Sequence, residues 1–259
     1  MTLYIFLQGG LGNQLFQYAA GLILQQTRDV LLIKAPRVHS GRDYRTTLYH
    51  RLKSVEQAPP GVPLLSFDSF PPWRPEQYLG HDTVILQGYF QYLPAIEGLL
   101  PQLREDIGRL LLPHREAMRA KYGITDPSSV GFLHVRRGDY LTAPPNLHWI
   151  MDTQYYLSAL TKSKRGLRWI VLSDDVAWCR AQELFTEFPS IEIADEAEEL
   201  DGLALMSLCC GGAIIGNSTY SWWGAMLGAE PAGAQVVYPS KWFSHSVPQL
   251  FPSSWIRMS

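Results

Sequence analysis

The fold class is decided by residues 3–34, which read LYIFLQGGLGNQLFQYAAGLILQQTRDVLLIK. Residues 3–7 form a short apolar run that stops at a glycine pair, a pattern typical of a buried strand. Residues 13–26 carry apolar side chains at helical spacing, and residues 30–34 are a second apolar run. A strand, a loop, a helix and a strand in such a short segment favour a parallel sheet.

The same alternation along the chain predicts two α/β halves. The first half continues with a strand at 83–86, a helix at 96–112 closed by Pro113 and a short helix at 115–121. After a linker, strands and helices alternate at 130–135, 154–164, 168–172, 176–188, 191–194, 200–209, 213–215, 220–227 and 235–238. We therefore predict an N-terminal domain of residues 1–123 and a C-terminal domain of residues 124–259, both doubly wound and facing a central cleft.

The composition argues against several classes of protein. The 259 residues include 22 basic and 24 acidic side chains, and this near-neutral balance predicts no nucleic-acid partner. The 3 cysteines, two of them adjacent, do not form a disulfide framework. The first apolar run is too short to span a membrane and follows no basic segment. We expect a soluble, cytoplasmic protein without a transmembrane segment; a peripheral position at the inner membrane and the oligomeric state stay open.

The loop after the first predicted strand carries glycines and amides. Gly10 and Gly12 allow a ligand to approach the backbone, and Asn13 and Gln14 place two side-chain amides at the mouth of the strand. The alternative interpretation is a tight turn in which Asn13 caps the helix. A dinucleotide fingerprint needs a glycine where this chain has Leu15, so an NAD cofactor is not expected.

A cluster of charges ends the first strand of the second half. Strand alternation places His134 and Arg136 on one face and Arg137 on the other. Two guanidinium groups at a strand end need carboxylates or the phosphates of a ligand, and the planar fork of arginine suits a diphosphate. The alternative interpretation is a structural salt bridge, for example with Asp139 or Asp152.

Two further strand ends carry candidate ligand-binding residues. Asp174 and Asp175 precede a helix, where an aspartate either caps the helix or accepts the N–H groups of guanine. Asn217, Ser218 and Thr219 place amide and hydroxyl groups at the start of a helix, which suits an anion. A plain cap is the alternative for the two hydroxyl residues. The two tryptophans that follow at 222 and 223 are expected mainly in the core.

These motifs recur together in a known family. The segments at 9–19, 88–91, 134–140, 173–175 and 217–225 appear in this order, and the set resembles the α-1,2-fucosyltransferases of glycosyltransferase family 11. The resemblance extends from about residue 8 to residue 243. It implies a GT-B-like fold, GDP-fucose as donor and a β-galactoside glycan as acceptor. It further implies transfer to the 2-hydroxyl with inversion, and no metal or other cofactor.

The resemblance also implies roles for individual residues. Arg136 would hold the β-phosphate, and His134 would read guanine together with either Asp174 or Asp175. Ser218 and Thr219 would bind phosphate or the fucose side of the donor. The remaining donor-side candidates, taken from the residues themselves, are Gly10, Gly12, Asn13, Gln14 and Asn217.

The acceptor side is less defined by sequence. Asp139 is the candidate catalytic base, because a carboxylate within hydrogen-bond reach is the usual acceptor of a hydroxyl proton. Two stretches depart from the family pattern: Cys209 and Cys210 stand where a basic residue and a histidine are expected, and His148 with Trp149 replaces a His-Gly step. The chain lacks the N-terminal span of animal members, so we expect a bacterial member.

Two other functions compete with this interpretation. The chain could be a transferase for another nucleotide sugar, GDP-mannose or a UDP-sugar, on the same scaffold. It could also be a non-catalytic glycan-binding protein that kept the fold. Such a protein would bind galactosides but not GDP, and the many donor groups at the strand ends argue against it.

Overall fold

The computed structural model divides into two compact units. It describes residues 2–34, 44–45, 47–66, 73–74, 80, 82–143, 148–196, 198–243 and 248–258. Unit 1 comprises Met1–Leu110 with Pro248–Phe251, and unit 2 comprises Leu111–Val247 with Pro252–Ser259. The division falls before Leu111, whereas the sequence predicts a boundary after residue 123. The C-terminal residues thus contribute to both units, first to unit 1 and then to unit 2.

Unit 1 is built on a five-stranded parallel sheet. Its strands and helices are β1 (Thr2–Leu7), α1 (Leu11–Leu24), β2 (Asp29–Lys34), β3 (Lys53–Ser54), β4 (Leu64–Ser66), β5 (Val84–Gln87), α2 (Leu93–Ile96) and α3 (Leu100–Leu110). The strand order is β3-β2-β1-β5-β4, and every pairing is parallel. The predicted strand–helix–strand at 3–34 is therefore confirmed. The segment at 36–82, which shows no clear period, contributes the short β3 and β4 and otherwise lies partly outside the described residues.

Unit 2 is built on a six-stranded parallel sheet. Its elements are α4 (Leu112–Lys121), β6 (Val130–Val135), α5 (Thr153–Lys162), β7 (Arg168–Ser173), α6 (Val176–Arg180), α7 (Glu183–Thr186), β8 (Ile191–Ile193), α8 (Glu199–Leu208), β9 (Gly212–Ile214), α9 (Thr219–Leu227), β10 (Gln235–Pro239) and β11 (Ile256–Met258). The strand order is β11-β10-β9-β6-β7-β8. Counted along the chain this is the order 3-2-1-4-5-6 of a doubly wound dinucleotide-type fold. The two predicted doubly wound halves are confirmed.

Three elements differ from the sequence-based expectation. Pro113 does not close a helix but lies in the first turn of α4, where the N–H that proline lacks has no intrahelical partner anyway. The helix predicted at 176–188 is two short helices, because Gln182 between them adopts an extended backbone. The tail forms β11, which pairs in parallel with β10 and was not predicted.

α4 belongs to unit 2 because its polar side chains are bonded to α8. His114 Nδ1 lies 2.6 Å from Asp201 Oδ1, and Arg115 Nε donates to Ser207 Oγ at 2.7 Å. These bonds explain why the division between the units precedes this helix.

The core of unit 2 lies around its central strand and α9. All six residues of β6 are buried. Trp222 and Trp223 are both completely buried, with their rings edge to face at 5.0 Å. The expectation that these tryptophans belong to the core is confirmed.

Candidate functional site

The end of β6 and the turn before α9 meet at the switch point of the unit 2 sheet. From β6 the chain winds to β7 and β8 on one side, while β9 and β10 lie on the other. Ligands of doubly wound sheets bind outside the carboxyl ends of the strands at such a point. A Cβ at Gly216 would lie 3.1 Å from the carbonyl oxygen of His134 and 3.8 Å from Cβ of Arg136. The structure thus brings the predicted residues after β6 and after β9 together.

Arg136 is held by two carboxylates. Its Nη1 lies 2.9 Å from Asp174 Oδ2, and its Nη2 donates to Asp139 Oδ1 at 2.5 Å. The arginine side chain is 27% exposed, so ligand oxygens can reach it. The salt bridge with Asp139 that the sequence left open is therefore present. Asp152 makes no such bridge and instead caps α5 by accepting the N–H of Tyr155.

Arg137 is held by hydrogen bonds and a ring contact within unit 2. Its backbone N–H donates to Asp174 Oδ1 at 2.9 Å, and its Nε donates to Asp175 Oδ2 at 3.2 Å. Its guanidinium carbon lies over the ring of Trp178, 4.1 Å from the centroid. Asp175 also caps α6 through the N–H of Trp178, as the cap interpretation predicted. Guanine recognition by Asp174 or Asp175 stays a prediction.

His134 is a buried, neutral imidazole at the end of β6. Only 3% of the residue is exposed, and its Nδ1 has no hydrogen-bond partner within the described part of the chain. Its ring meets Tyr220 edge to face at 5.7 Å. Burial lowers the pKa of His134 to about 3, and the positive charge of Arg136 acts in the same direction. At neutral pH the imidazole is therefore uncharged.

The turn before α9 is tied to other loops by Asn217. Its Nδ2 donates to the carbonyls of Trp149 at 2.7 Å and Trp242 at 2.9 Å. Ser218 occupies the cap position of α9 but makes no capping bond with its side chain, and it is 6% exposed. Thr219 is the first residue of the helix. The backbone N–H groups of this helix start remain the feature that suits an anion.

Unit 1 has its own switch point between β1 and β5, and an amide network joins their ends. Gln17 accepts the backbone N–H of Gln8 at 2.9 Å and donates to the carbonyl of Gly88 at 3.0 Å. Asn13 accepts from Nε2 of Gln91 at 3.0 Å. The role of Gln17 could not be predicted from the sequence, because a buried glutamine inside a helical pattern gives no separate signal.

The predicted residues of the first loop lie at the start of α1. Gly10 caps this helix and Gly12 is buried in its first turn, so the helix begins at Leu11. Asn13 consequently lies inside the helix, and the alternative in which it caps the helix is wrong. Gln14 donates to the carbonyl of Gly9 at 3.1 Å, and both amides already make bonds within unit 1.

Four further features concern metal binding, membrane spans, the cysteines and His148. Within the described ranges, no His, Cys, Asp and Glu side chains form a group of three that could hold a metal ion. No helix among those residues has both the length and the apolar character needed to cross a membrane. The three cysteines are free thiols. His148 lies in unit 2, where its ring stacks on that of Tyr140.

Solved structures share this architecture. A glycosyl transferase of family 9 from Veillonella parvula aligns with a TM-score of 0.53 at 10% identity, over 99% of this chain and 86% of that one. The fucosyltransferase NodZ from Bradyrhizobium aligns with a TM-score of 0.51 at 14% identity, over 88% of this chain and 93% of that one. Two doubly wound units with a charged switch point thus define a glycosyltransferase fold of the GT-B type.

The chain belongs to glycosyl transferase family 11, whose family model matches residues 74–246. It is similar to an O-antigen biosynthesis glycosyltransferase, WbnK, from Escherichia coli, with 30% identity over 99% of this chain and all of the relative. It is also 27% identical to an α-1,2-colitosyltransferase from Escherichia coli, over 97% of each chain. A galactoside α-(1,2)-fucosyltransferase from Bos taurus is 28% identical over 89% of this chain and 66% of the relative. The family resemblance drawn from the motifs is confirmed.

Proposed function

We propose that the protein transfers L-fucose from GDP-fucose to the 2-hydroxyl of a terminal β-galactoside, with inversion at the anomeric carbon and without a metal ion. The observation that carries this proposal is the position of Arg136, which lies at the switch point of unit 2 against the turn that opens α9. Membership of family 11 and the fucosyl- and colitosyltransferase relatives support the type of transfer.

The leaving group requires the strongest stabilisation. As the bond between fucose C1 and the β-phosphate oxygen breaks, negative charge collects on the GDP while the sugar becomes positive. Fixed hydrogen-bond donors aimed at that oxygen lower the barrier most. Arg136 has five N–H donors, so it can stay bonded to Asp174 and still bind phosphate oxygens. Ser218 and Thr219, with the N–H groups of α9, supply further donors.

The residues that would bind the guanine base follow from the chemistry of their side chains. His134 and either Asp174 or Asp175 would bind the guanine base, since a neutral imidazole and a carboxylate can meet its polar edge. Gly10 and Gly12, together with the amides at residues 13 and 14, are the candidate ligand contacts of unit 1, where glycine backbone allows close approach.

The acceptor hydroxyl loses its proton as the new C1–O bond forms. Asp139 is the proposed base, and its side chain is 69% exposed, so an acceptor sugar can reach it. Its ion pair with Arg136 also gives it an orienting role. Both roles predict that the negative charge of Asp139 is needed for turnover.

Colitose is the second candidate for the transferred sugar. The colitosyltransferase relative is similar along 97% of its length, and colitose differs from fucose only in lacking the 3-hydroxyl. A site that hydrogen-bonds this hydroxyl rejects the deoxy sugar by a large factor, because the partner is left buried without a bond. A site without such a partner accepts both.

The donor and the linkage are tested together. The purified protein is mixed with lactose and, in parallel, GDP-fucose, GDP-colitose, GDP-mannose or UDP-galactose, and nucleotide release is measured. Nuclear magnetic resonance of the product then identifies the linkage. We expect release from GDP-fucose and an α-1,2 linkage to galactose. Preference for GDP-colitose would favour the second candidate, and calorimetry that detects no GDP binding would refute both.

A further inference from the structure

Tyr140 lies at the centre of contacts beside Arg136 that the proposed function does not use. Its hydroxyl donates to the carbonyl of Asn217 at 2.9 Å. Its ring stacks on the ring of His148, with centroids 3.9 Å apart and planes within 5°. The guanidinium carbon of Arg136 lies over the same tyrosine ring, 5.3 Å from its centroid. We call Tyr140, His148 and Asn217 the Tyr140 cluster.

We propose that Tyr140 is a positioning residue for Arg136. Its ring attracts the positive charge of the guanidinium and holds the group in place while the N–H donors bind the diphosphate of the donor. The inference rests on the proposed function, since it takes Arg136 as the group that binds the leaving phosphate.

The ring of Tyr140 can support Arg136 without using its N–H donors, which Asp139 and Asp174 cannot do. A guanidinium carries all five N–H donors in its plane, and Asp174 accepts from Nη1 while Asp139 accepts from Nη2. Phosphate oxygens therefore bind the donors that the two carboxylates leave open. The attraction between the positive charge and the face of an aromatic ring does not depend on those hydrogen bonds. Support from Tyr140 thus persists when the donor binds.

The ring of Tyr140 is itself fixed from two directions. Burial raises the pKa of Tyr140 to about 12, so its hydroxyl stays protonated and continues to donate to Asn217. Burial also lowers the pKa of His148, and Arg136 adds to the effect while Asp139 opposes it. A neutral His148 can stack on Tyr140 without placing a second positive charge beside Arg136.

Asn217 anchors the cluster to the rest of unit 2. Its buried Nδ2 holds the carbonyls of Trp149 and Trp242 at once. Trp149 is the neighbour of His148, and Trp242 is the neighbour of Phe243, which pairs with His148 in an antiparallel bridge. One buried amide therefore joins the turn before α9 to both segments that place the histidine ring. This arrangement gives Asn217 a supporting role in addition to any contact with the donor.

The test uses variants that separate the ring from the hydroxyl. Tyr140→Leu removes the ring, and Tyr140→Phe keeps the ring but loses its bond to Asn217. Tyr155→Phe is the matched control, because the hydroxyl of Tyr155 also donates to a backbone carbonyl of unit 2, that of Ile215, at 2.7 Å. Each variant is made in the wild type and in Arg136→Ala. GDP affinity is measured by calorimetry up to millimolar GDP, and folding by thermal unfolding.

We expect Tyr140→Leu to weaken GDP binding about tenfold in the wild type and not at all in Arg136→Ala. Tyr140→Phe should weaken binding about twofold to threefold, again only when Arg136 is present. Tyr155→Phe should leave GDP affinity unchanged even if it lowers stability. The dependence on Arg136 separates positioning from a general loss of structure.

Equal losses in both backgrounds, or a folded Tyr140→Leu that binds GDP like the wild type, would overturn the inference. If Tyr140→Leu does not fold, Tyr140→Phe decides by the same comparison. Failure of the proposed function is recognised separately, because then the wild type binds no GDP. An Arg136→Ala variant that binds GDP like the wild type would refute both.

Discussion

Arg136 Nη1 and Asp174 Oδ2 lie 2.9 Å apart, while the other oxygen of Asp174 accepts the backbone N–H of Arg137. One carboxylate thus fixes both the guanidinium and the backbone that carries it. Asp139 contacts the same guanidinium from an exposed position. The charged end of β6 is therefore oriented before any ligand binds, as preorganised catalysis requires.

Arg136→Ala should reduce turnover by roughly 10²–10³, a loss of about 3–4 kcal/mol of transition-state stabilisation. The reason is that the guanidinium is the proposed donor to the departing β-phosphate. Initial rates of GDP release from GDP-fucose with lactose measure the effect. Arg136→Lys is the control, because it keeps the charge but loses the fork, and it should recover only part of the rate. Wild-type turnover in Arg136→Ala would remove this residue from the mechanism.

Asp139→Asn should bind GDP like the wild type but lose most of its turnover. Its ion pair is exposed, so the change should cost at most about 1 kcal/mol of folding stability. Calorimetry with GDP, denaturant unfolding and initial rates separate the three effects. Asp152→Asn is the matched control, since Asp152 caps α5 and should leave turnover unchanged. Full turnover in Asp139→Asn would exclude this carboxylate as the base.

Gly138→Ala should weaken GDP binding while the chain stays folded. A Cβ at this position would lie 2.3 Å from Asp174 Oδ2, so the carboxylate oxygen that contacts Arg136 must shift. Gly98→Ala adds the same methyl group where no atom lies within 4 Å and should have no effect on GDP affinity. Calorimetry compares the two variants. Identical GDP affinities would show that the position of Asp174 does not matter for the donor.

His134 should make folding stability depend on pH. Its pKa is about 3 in the folded state against about 6.5 in the unfolded chain, so between these values only the unfolded chain binds the proton. Stability from this group is complete above about pH 6.5 and is lost as the pH falls, with a slope of at most about 1.4 kcal/mol per pH unit. From pH 7.5 to 5.0 the wild type should lose about 2 kcal/mol more than His134→Gln. Urea unfolding at both pH values measures the difference, and parallel losses would contradict the buried neutral imidazole.

The local sequence pattern predicts the strands of both sheets but not the side-chain contacts around Arg136. Apolar runs such as 130–135 predict buried strands because parallel strands are covered on both faces. β11 could not be predicted, because it is a short segment that becomes a strand only by pairing with β10 in the folded protein. The residues after β6 and β9 were predicted from their place at strand ends. The contacts of Tyr140 with His148 and Asn217 could not be predicted in this way. Asn217 is 77 residues from Tyr140, and the loop that brings the ring of His148 onto that of Tyr140 has no periodic pattern.

The central claim is that Arg136 and the start of α9 stabilise the departing diphosphate in place of a metal ion. Its most direct test is the initial rate of GDP release from GDP-fucose and lactose, measured with excess EDTA and again after Mg²⁺ or Mn²⁺ is added back. We expect the same rate in all three conditions. A rate that disappears with EDTA and returns with the divalent ion would contradict the claim.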